Sequence, residues 1–410
     1  MNPNGTRVVV MGGSLGGLNA ALWLRDVGCE VEVYERSDVP LAGQGAGIVL
    51  NPATVRYFSE NDVLDLGKMS VPAQYLRYIG RNGAAVDEQP KSYLFSSYNA
   101  LYRGLLDCFG NDQYHLGAAV EGFEADAEGV TVRIVGNRTE RCDMLVCADG
   151  IRSTARRHLL PHVSLEYAGY VAWRGTAEEG ELKPATYGAL SEAISYHVMP
   201  DGHALAYPIP MVDRSPSQER PRMNWLWYRN VARGPELDDL MTDMNGERRV
   251  VSLPPGVVQK RHVDRLREDA ASVLPPPFAE MVLATAEPYV QAIVDVEVPR
   301  MAFGRVALIG DAAFAARPHA AAGTAKAAED AFRLGEAVGC ANGDVVAALE
   351  RWEPGQLALG GRVLARTREA GRRSQFDATW RVGDPLPFGL YEVGDSEMSA
   401  VARGDERGVL

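Results

Sequence analysis

The chain has 410 residues, with 42 basic and 54 acidic side chains for a formal net charge of −12, and 46% of it is hydrophobic. That length suits two domains, or one large α/β core with an inserted layer, and the hydrophobic fraction excludes a disordered chain. The acidic surface repels phosphate backbones and anionic lipid, so neither nucleic acid nor membrane is expected as a partner, and an anionic substrate needs local basic residues to hold it.

Cys29, Cys108, Cys142, Cys147 and Cys340 are odd in number, widely spread and free of any Cys-x-x-Cys pair. They read as reduced, mostly buried small residues, and no His and Cys group has zinc-site spacing, so no metal is expected. A strand-like run starting at Arg7 leaves no room for a signal peptide, and no apolar stretch reaches the roughly 18 residues of a membrane helix. A soluble cytoplasmic protein is expected.

In chain order, Val8-Val9-Val10-Met11 predicts a buried parallel strand that ends at Gly12-Gly13. Apolar residues at helical spacing from Leu18 to Val27 stop at Gly28, and Glu30 to Tyr34 reads as a second strand. This βαβ unit predicts a doubly wound parallel sheet. Between about residues 160 and 285 the texture changes to alternating segments such as Ile194 to Val198 and Asn224 to Tyr228. These predict antiparallel strands with one wet face, and their tryptophans and tyrosines suit the floor of a pocket for a flat ligand. From Val306 to Asp311 the parallel-sheet texture returns, followed by an Ala-rich helix to about Cys340. The expected fold class is therefore α/β, a Rossmann-like dinucleotide-binding domain with a second substrate domain on an antiparallel sheet, plus C-terminal helices. Residues 1–75, 99–170 and 285–345 are assigned to the discontinuous first domain and 76–98 and 171–284 to the second. Residues 346–410 are assigned to a C-terminal helical segment and tail whose last dozen residues are expected to be mobile.

Gly12-Gly13-Ser14-Leu15-Gly16-Gly17 lies where a strand turns into a helix. Gly12 suits the tight turn, Gly17 the close packing of helix on sheet, and the helix N-terminus offers free N–H groups to a pyrophosphate. Glu35, about twenty residues on, sits where a carboxylate accepts from an adenosine ribose. Gly12-x-Ser14-x-Gly16 also fits the nucleophile elbow of serine hydrolases, although that elbow usually follows several strands, and a merely glycine-rich turn is the bland reading. Asp149-Gly150 closes the run Met144 to Ala148, and Gly310-Asp311 closes Val306 to Ile309. Carboxylates at such strand ends line the crevice where α/β sheets bind ligands.

Taken together, these stretches resemble the flavoprotein aromatic hydroxylases, the family of para-hydroxybenzoate and salicylate hydroxylases. The likeness covers nearly the whole chain. It rests on the Gly12 to Gly17 fingerprint with Glu35 and Arg36, on Asp149-Gly150-x-Arg152-Ser153, and on Gly310-Asp311-Ala312-Ala313 with Pro318. Tyr167 to Gly175, Asp201-Gly202-His203 with Ala206 to Pro210, and Arg317 to Gly323 are closest to members acting on dihydroxypyridines.

The resemblance implies FAD as cofactor and NADH or NADPH with O2 as co-substrates. It also implies hydroxylation, through a flavin C4a-hydroperoxide, of a small hydroxylated aromatic, an N-heteroaromatic of dihydroxypyridine type. Family members are often homodimers. Gly12, Ser14, Leu15 and Gly17 would hold the pyrophosphate and Glu35 and Arg36 the ribose. Arg103, in Arg103-Gly104-Leu105-Leu106, would reach the phosphate or ribitol region. Asp149, Asp311, Pro318 and Gly323 would complete the cofactor site, with the helix after Gly323 aimed at the flavin. Many members carry His after Gly-Asp-Ala-Ala, where this chain has Phe314.

The ring's hydroxyl needs a base or hydrogen-bond acceptor beside it. His319 is the leading candidate, or else only a helix-capping histidine, and His203 and Tyr207 follow, with His203 alternatively a turn residue. Tyr98 is a candidate for substrate contact or plain packing, and Arg317 for an anionic substrate or an acid partner. His319 is itself a substrate-contact candidate. A flavin oxidase or dehydrogenase, a hydroxylase of carbocyclic phenols or oxidised purines, and a non-catalytic dinucleotide-binding protein remain as alternatives.

Overall fold

The computed structural model describes residues 5–41, 47–63, 65–211 and 221–398; the last dozen residues of the chain lie outside them. Val8 to Met11 is buried throughout, as a central parallel strand requires. The strand Arg7–Met11 pairs in parallel with Glu30–Tyr34 on one side and Met144–Cys147 on the other, and Val306–Leu308 adds beyond the latter. Tyr114–His115 and the antiparallel Ala302–Phe303 complete a six-stranded sheet. The helices Leu15–Asp26 and Gly323–Gly339 lie against one another. Gly335 permits the approach, since a Cβ there would come within 2.9 Å of the Trp23 Cβ.

The second sheet runs, in spatial order, Ser252–Leu253, Tyr289–Glu297, Glu166–Glu178, Arg222–Asn230, Gly202–Ile209, Ala193–Met199, Val71–Ile79, Ala85–Ser97 and Gly47–Val49. Its pairs are antiparallel except that of Ala193–Met199 with Val71–Ile79. The pleat sorts the side chains of Arg222–Asn230 with period two. Met223, Trp225 and Trp227 face Leu266 and Phe278 of the helices Lys260–Val273 and Pro276–Ala284. Leu226 and Tyr228 cluster on the other face with Tyr196, Tyr207, Leu386 and Phe388. Large apolar side chains buried this way each contribute about 1.5–3 kcal/mol relative to exposure.

Three expectations are corrected here. The antiparallel sheet has no wet face at Asn224 to Tyr228: both faces are covered, one by helices and the other by the chain beyond the helix Val345–Gln375. Gly47–Val49, the first part of Val71–Ile79, the start of Glu166–Glu178 and Tyr289–Glu297 belong to this sheet and not to the dinucleotide-binding part. Tyr289–Glu297 alternates, with Val290, Ala292, Val294 and Val296 on one face and Gln291, Asp295 and Glu297 on the other, as an antiparallel strand does. Residues 376–398 are not a loose tail but a strap, fixed by the Arg373–Asp384 ion pair and by Asn51 Nδ2 on Asp395. The two parts of the fold meet at Phe314–Ala315, just past Asp311, which pairs with Val296 and Glu297 at one end of the large sheet.

Among the described residues no helix is long and apolar enough to cross a membrane, and no group of three or more His, Cys, Asp or Glu is placed to hold a metal.

Candidate active site

The glycine loop is built on backbone contact. Gly12 has φ +100°, and a Cβ there would lie 2.5 Å from the Ala148 carbonyl oxygen, while one on Gly17 would lie 1.8 Å from the Gly12 carbonyl oxygen. Ser14 precedes the helix without capping it, so the first-turn N–H groups stay available for an anion. The Ser14 Oγ lies 2.7 Å from the Tyr98 hydroxyl, so the elbow-like serine is engaged by a phenol. Leu15 is buried beneath the loop. Glu35 is also buried, and its carboxylate accepts from Gly13 N at 2.8 Å and Ser37 N at 2.9 Å, which fixes it at the end of the second strand. Arg36 beside it is exposed, and Arg103 is half-buried on the helix Tyr98–Phe109.

The other two motifs are tied to this loop and to each other. Asp149 Oδ2 accepts from Thr154 N at 2.6 Å and Ala155 N at 3.2 Å, while its Oδ1 is buried without a partner. Arg156 spans from Ile151 O (2.6 Å) to Ala312 O (2.9 Å), joining the Asp149 segment to the Asp311 turn. Gly310, at φ +58°, donates its N–H to Asp330 Oδ2 at 2.9 Å, and that carboxylate also takes Lys326 Nζ at 2.6 Å. Asp311 faces a cavity of about 340 Å³. Burial raises its pKa, against the opposing pull of Lys326 and Arg156. Pro318, Ala322, Gly323 and Thr324 line the same cavity, so the N-terminus of the 17-residue helix Gly323–Gly339 opens into it. That end carries a partial positive charge.

The far end of the cavity is aromatic. His319 is 8% exposed and its Nε2 lies 2.7 Å from the Tyr170 hydroxyl. Its ring centroid is 5.0 Å from that of Tyr228 and 5.5 Å from that of His203. Burial, with Arg317 adding, pulls the His319 pKa down to about 3, and burial followed by His319 pulls His203 well below its ordinary range. Both imidazoles are therefore neutral at physiological pH, each with one donor and one acceptor nitrogen. Tyr207 donates to Gly47 O at 2.9 Å and stacks on Phe95 at 4.4 Å. Trp380 of the strap stands edge-on to His203 at 4.7 Å.

The structure thus gathers Gly12, Ser14, Leu15, Gly17, Glu35 and Asp149 around the loop, and Asp311, Pro318, Gly323, His319, His203 and Tyr207 around the cavity. Two expected substrate contacts are placed elsewhere. Tyr98 is bonded to Ser14 and stacked on Tyr102 at 5.9 Å, on the nucleotide side of the fold. Arg317 is held by Asp295 through Nε (3.1 Å) and Nη2 (2.9 Å), so its charge is neutralised outside the cavity. Sequence reasoning missed Arg174, Gln291, Tyr228 and Trp380, all of which line the cavity. For Arg174 a signal existed: a charged residue inside the apolar strand Tyr170 to Trp173.

The orphaned Asp149 oxygen, the loop without room for side chains, and the helix N-terminus at Gly323 opening into the cavity fit a flavin dinucleotide. Comparison with known proteins agrees. The FAD binding domain family matches residues 5–173, and an FAD binding domain-like family matches residues 167–295. The chain is 39% identical over 397 residues, 96% of its length and 98% of the relative's, to the 2,6-dihydroxypyridine 3-monooxygenase of Paenarthrobacter nicotinovorans. The chain belongs to the FAD-dependent aromatic-ring monooxygenases. The solved 2,6-dihydroxypyridine-3-hydroxylase from Arthrobacter nicotinovorans superposes with TM-score 0.90 at 38% identity, with both chains fully covered. The FAD-dependent urate hydroxylase of Klebsiella pneumoniae is 28% identical over 368 residues, 85% of each chain. A salicylate hydroxylase substrate complex, at 22% identity and TM-score 0.71 over 93% of this chain and 90% of that one, shares the fold.

Proposed function

We propose that the protein hydroxylates a small nitrogen heterocycle carrying ionisable hydroxyl groups, of the dihydroxypyridine kind, with reducing equivalents drawn from NADH or NADPH. The observation that carries this reading is the aromatic cavity between the Asp311 turn and the antiparallel sheet, where neutral His319 and His203 stand beside Tyr228. The cavity, about 340 Å³, has the cofactor-facing Asp311 and Gly323 at one end and these aromatic side chains at the other, where a small flat ring fits. The 39% identity to a 2,6-dihydroxypyridine 3-monooxygenase supports the heterocycle over a carbocyclic phenol.

FAD, when bound, supplies the redox and oxygen-transfer chemistry, and the chain's own residues bind, orient and exclude water. Gly12, Ser14 and Gly17 would hold the pyrophosphate by backbone N–H groups, with Glu35 and Arg36 on the ribose and Arg103 toward the phosphates. Asp311 would accept from the ribitol, and the Gly323 helix end would stabilise negative charge on the reduced cofactor. His319, with one nitrogen engaged by Tyr170, offers the other to a ring hydroxyl or ring nitrogen. His203 and Tyr207 shape the opposite wall, and the Trp380 strap keeps water out. The reading places the protein in the cytoplasm, where reduced nicotinamide nucleotides are available.

The test follows NADH consumption, O2 uptake and labelled-oxygen incorporation across hydroxypyridines, hydroxybenzoates and oxidised purines. A dihydroxypyridine should stimulate the rate most and gain one oxygen atom. Peroxide release with no hydroxylated product would instead make the protein an oxidase.

A further inference from the structure

Among the described residues that line the cavity, one cation has no counter-ion. Arg174, near the middle of the strand Glu166–Glu178, donates through Nη1 to Gln291 Oε1 at 3.0 Å. Its Nε is buried and has no acceptor. Among the described residues no carboxylate forms an ion pair with it; its titratable neighbours are the phenols of Tyr207, Tyr228 and Tyr289, the last with its ring 6.0 Å from the guanidinium carbon. The other arginine on the cavity wall, Arg373, is paired with Asp384 at 2.5 Å. A guanidinium stays charged at any physiological pH, and holding one out of water with no anion is costly unless a ligand brings the charge. A cation–π contact at that distance offsets only part of the cost.

We propose that Arg174 and Gln291 form an anion subsite, and that the ring is bound as its monoanion with the deprotonated hydroxyl oxygen against the Arg174 guanidinium. This deepens the hydroxylase reading and rests on it. The ring's O–H bond breaks in water before binding, the proton goes to the buffer, and no protein group takes it up. The groups facing the subsite agree with that order. His319 and His203 are held neutral by burial, and imidazoles whose conjugate acids lie well below the ordinary histidine range are weak bases toward a ring hydroxyl. Burial keeps the Tyr207 and Tyr228 phenols protonated, so neither competes for the guanidinium; the Tyr207 O–H is given to Gly47 O, which leaves Tyr228 as the donor to an oxyanion. Asp311, the acid on the cavity wall, stands at the turn facing the cofactor's position, beside Lys326 and Arg156. A negative oxygen on the ring also raises electron density at the carbon to be hydroxylated. Against a net charge of −12, such a local cation is what an anionic ring requires.

The experiment compares FAD-loaded wild type, Arg174→Gln and Arg174→Lys by perturbation of flavin absorbance, without reductant. The probes are 2,6-dihydroxypyridine and 2,6-dichloropyridine, a ring of similar outline that cannot ionise. Arg174→Gln should weaken 2,6-dihydroxypyridine by about ten- to hundred-fold, the range for one lost bond to a charged group, and leave 2,6-dichloropyridine nearly unchanged. Arg174→Lys should recover much of the loss. Equal losses for both probes, or none for either, would overturn the subsite. The wild type gives an answer by itself should the variants fail to hold flavin. Its affinity for 2,6-dihydroxypyridine should tighten as pH rises through the ligand's own ionisation midpoint, and a flat profile refutes the proposal. These readouts are binding alone, so a protein that binds the anion yet hydroxylates nothing would sink the hydroxylase reading while sparing the subsite.

Discussion

The Nε2 of His319 and the hydroxyl oxygen of Tyr170 are 2.7 Å apart, and Gly371 is what lets them meet. A Cβ on Gly371 would come within 2.5 Å of that hydroxyl and 3.2 Å of the imidazole nitrogen. The long C-terminal helix therefore closes over the pair without touching the bond, and the imidazole sits in a setting where burial disfavours its protonated form.

The first prediction concerns acid stability. The folded His319 pKa, near 3, lies below the ordinary histidine value of 6.5. The unfolded chain binds a proton that the folded chain refuses, so stability is full above the ordinary value and is lost as pH falls from there toward 3. His203, lowered in the same direction, acts likewise. His319→Gln should flatten the fall in Tm between neutral and acid pH, measured by scanning calorimetry of the FAD-loaded protein. An unchanged slope would show that other groups govern acid unfolding.

The second concerns the nucleotide loop. Gly17→Ala places a methyl 1.8 Å from the Gly12 carbonyl oxygen, a backbone atom that cannot swing aside. Overpacking of this kind costs about 1–3 kcal/mol and shifts the turn that carries the N–H donors. The purified variant should lose most of its bound flavin, read from the ratio of visible to ultraviolet absorbance, and melt several degrees lower. Retention of full flavin content would mean the loop tolerates a wider turn.

Much of this arrangement was legible in the chain. The run Val8 to Met11 with Gly12 and Glu35 announces a βαβ unit, because buried parallel strands and tight turns restrict residue choice strongly. The cavity wall was harder to read. The segment Asn224 to Tyr228 was legible as a pocket floor from its aromatic residues, but Arg174 sits in a strand whose neighbours are apolar, and nothing local reveals that its guanidinium turns into that pocket. For Arg317 an acid partner was one of two readings left open, and the sequence could not name it because Asp295 is 22 positions away on the strand Tyr289–Glu297. Trp380 lies in a Gly- and Pro-rich stretch that has no periodicity, and only the fold brings it against His203.

A third prediction follows from the buried pair Lys326–Asp330, with side chains 3% and 0% exposed. Lys326→Met leaves the Asp330 carboxylate without its partner in the interior, which costs about 3–5 kcal/mol. Chemical denaturation should show that loss. Adding Asp330→Leu should restore most of the stability but not the flavin affinity, since Gly310 N–H then has no acceptor and the Asp311 turn loosens.

The fourth concerns the strap. Trp380 meets His203 at 4.7 Å and Tyr196 at 5.3 Å, both edge-on. Trp380→Ala removes an aromatic wall, and losing such contacts is worth about 0.5–1.5 kcal/mol apiece, or roughly a ten-fold rise in KM for the ring. Water also gains access, so peroxide released per NADH should rise. Steady-state kinetics with a peroxide assay decides it; unchanged coupling would mean that the remaining wall suffices to exclude solvent.

Val306–Leu308 joins the first sheet beside Met144–Cys147, and six strands of the antiparallel layer, from Glu166–Glu178 to Tyr289–Glu297, lie between them in the chain. On the ribosome, the nucleotide-binding half stays unfinished until three-quarters of the polypeptide has emerged, and the intervening layer must be made first. Neither half is then an autonomous folding unit, and pairings across so long a sequence separation make for slow, late-committing folding in which cofactor capture comes near the end.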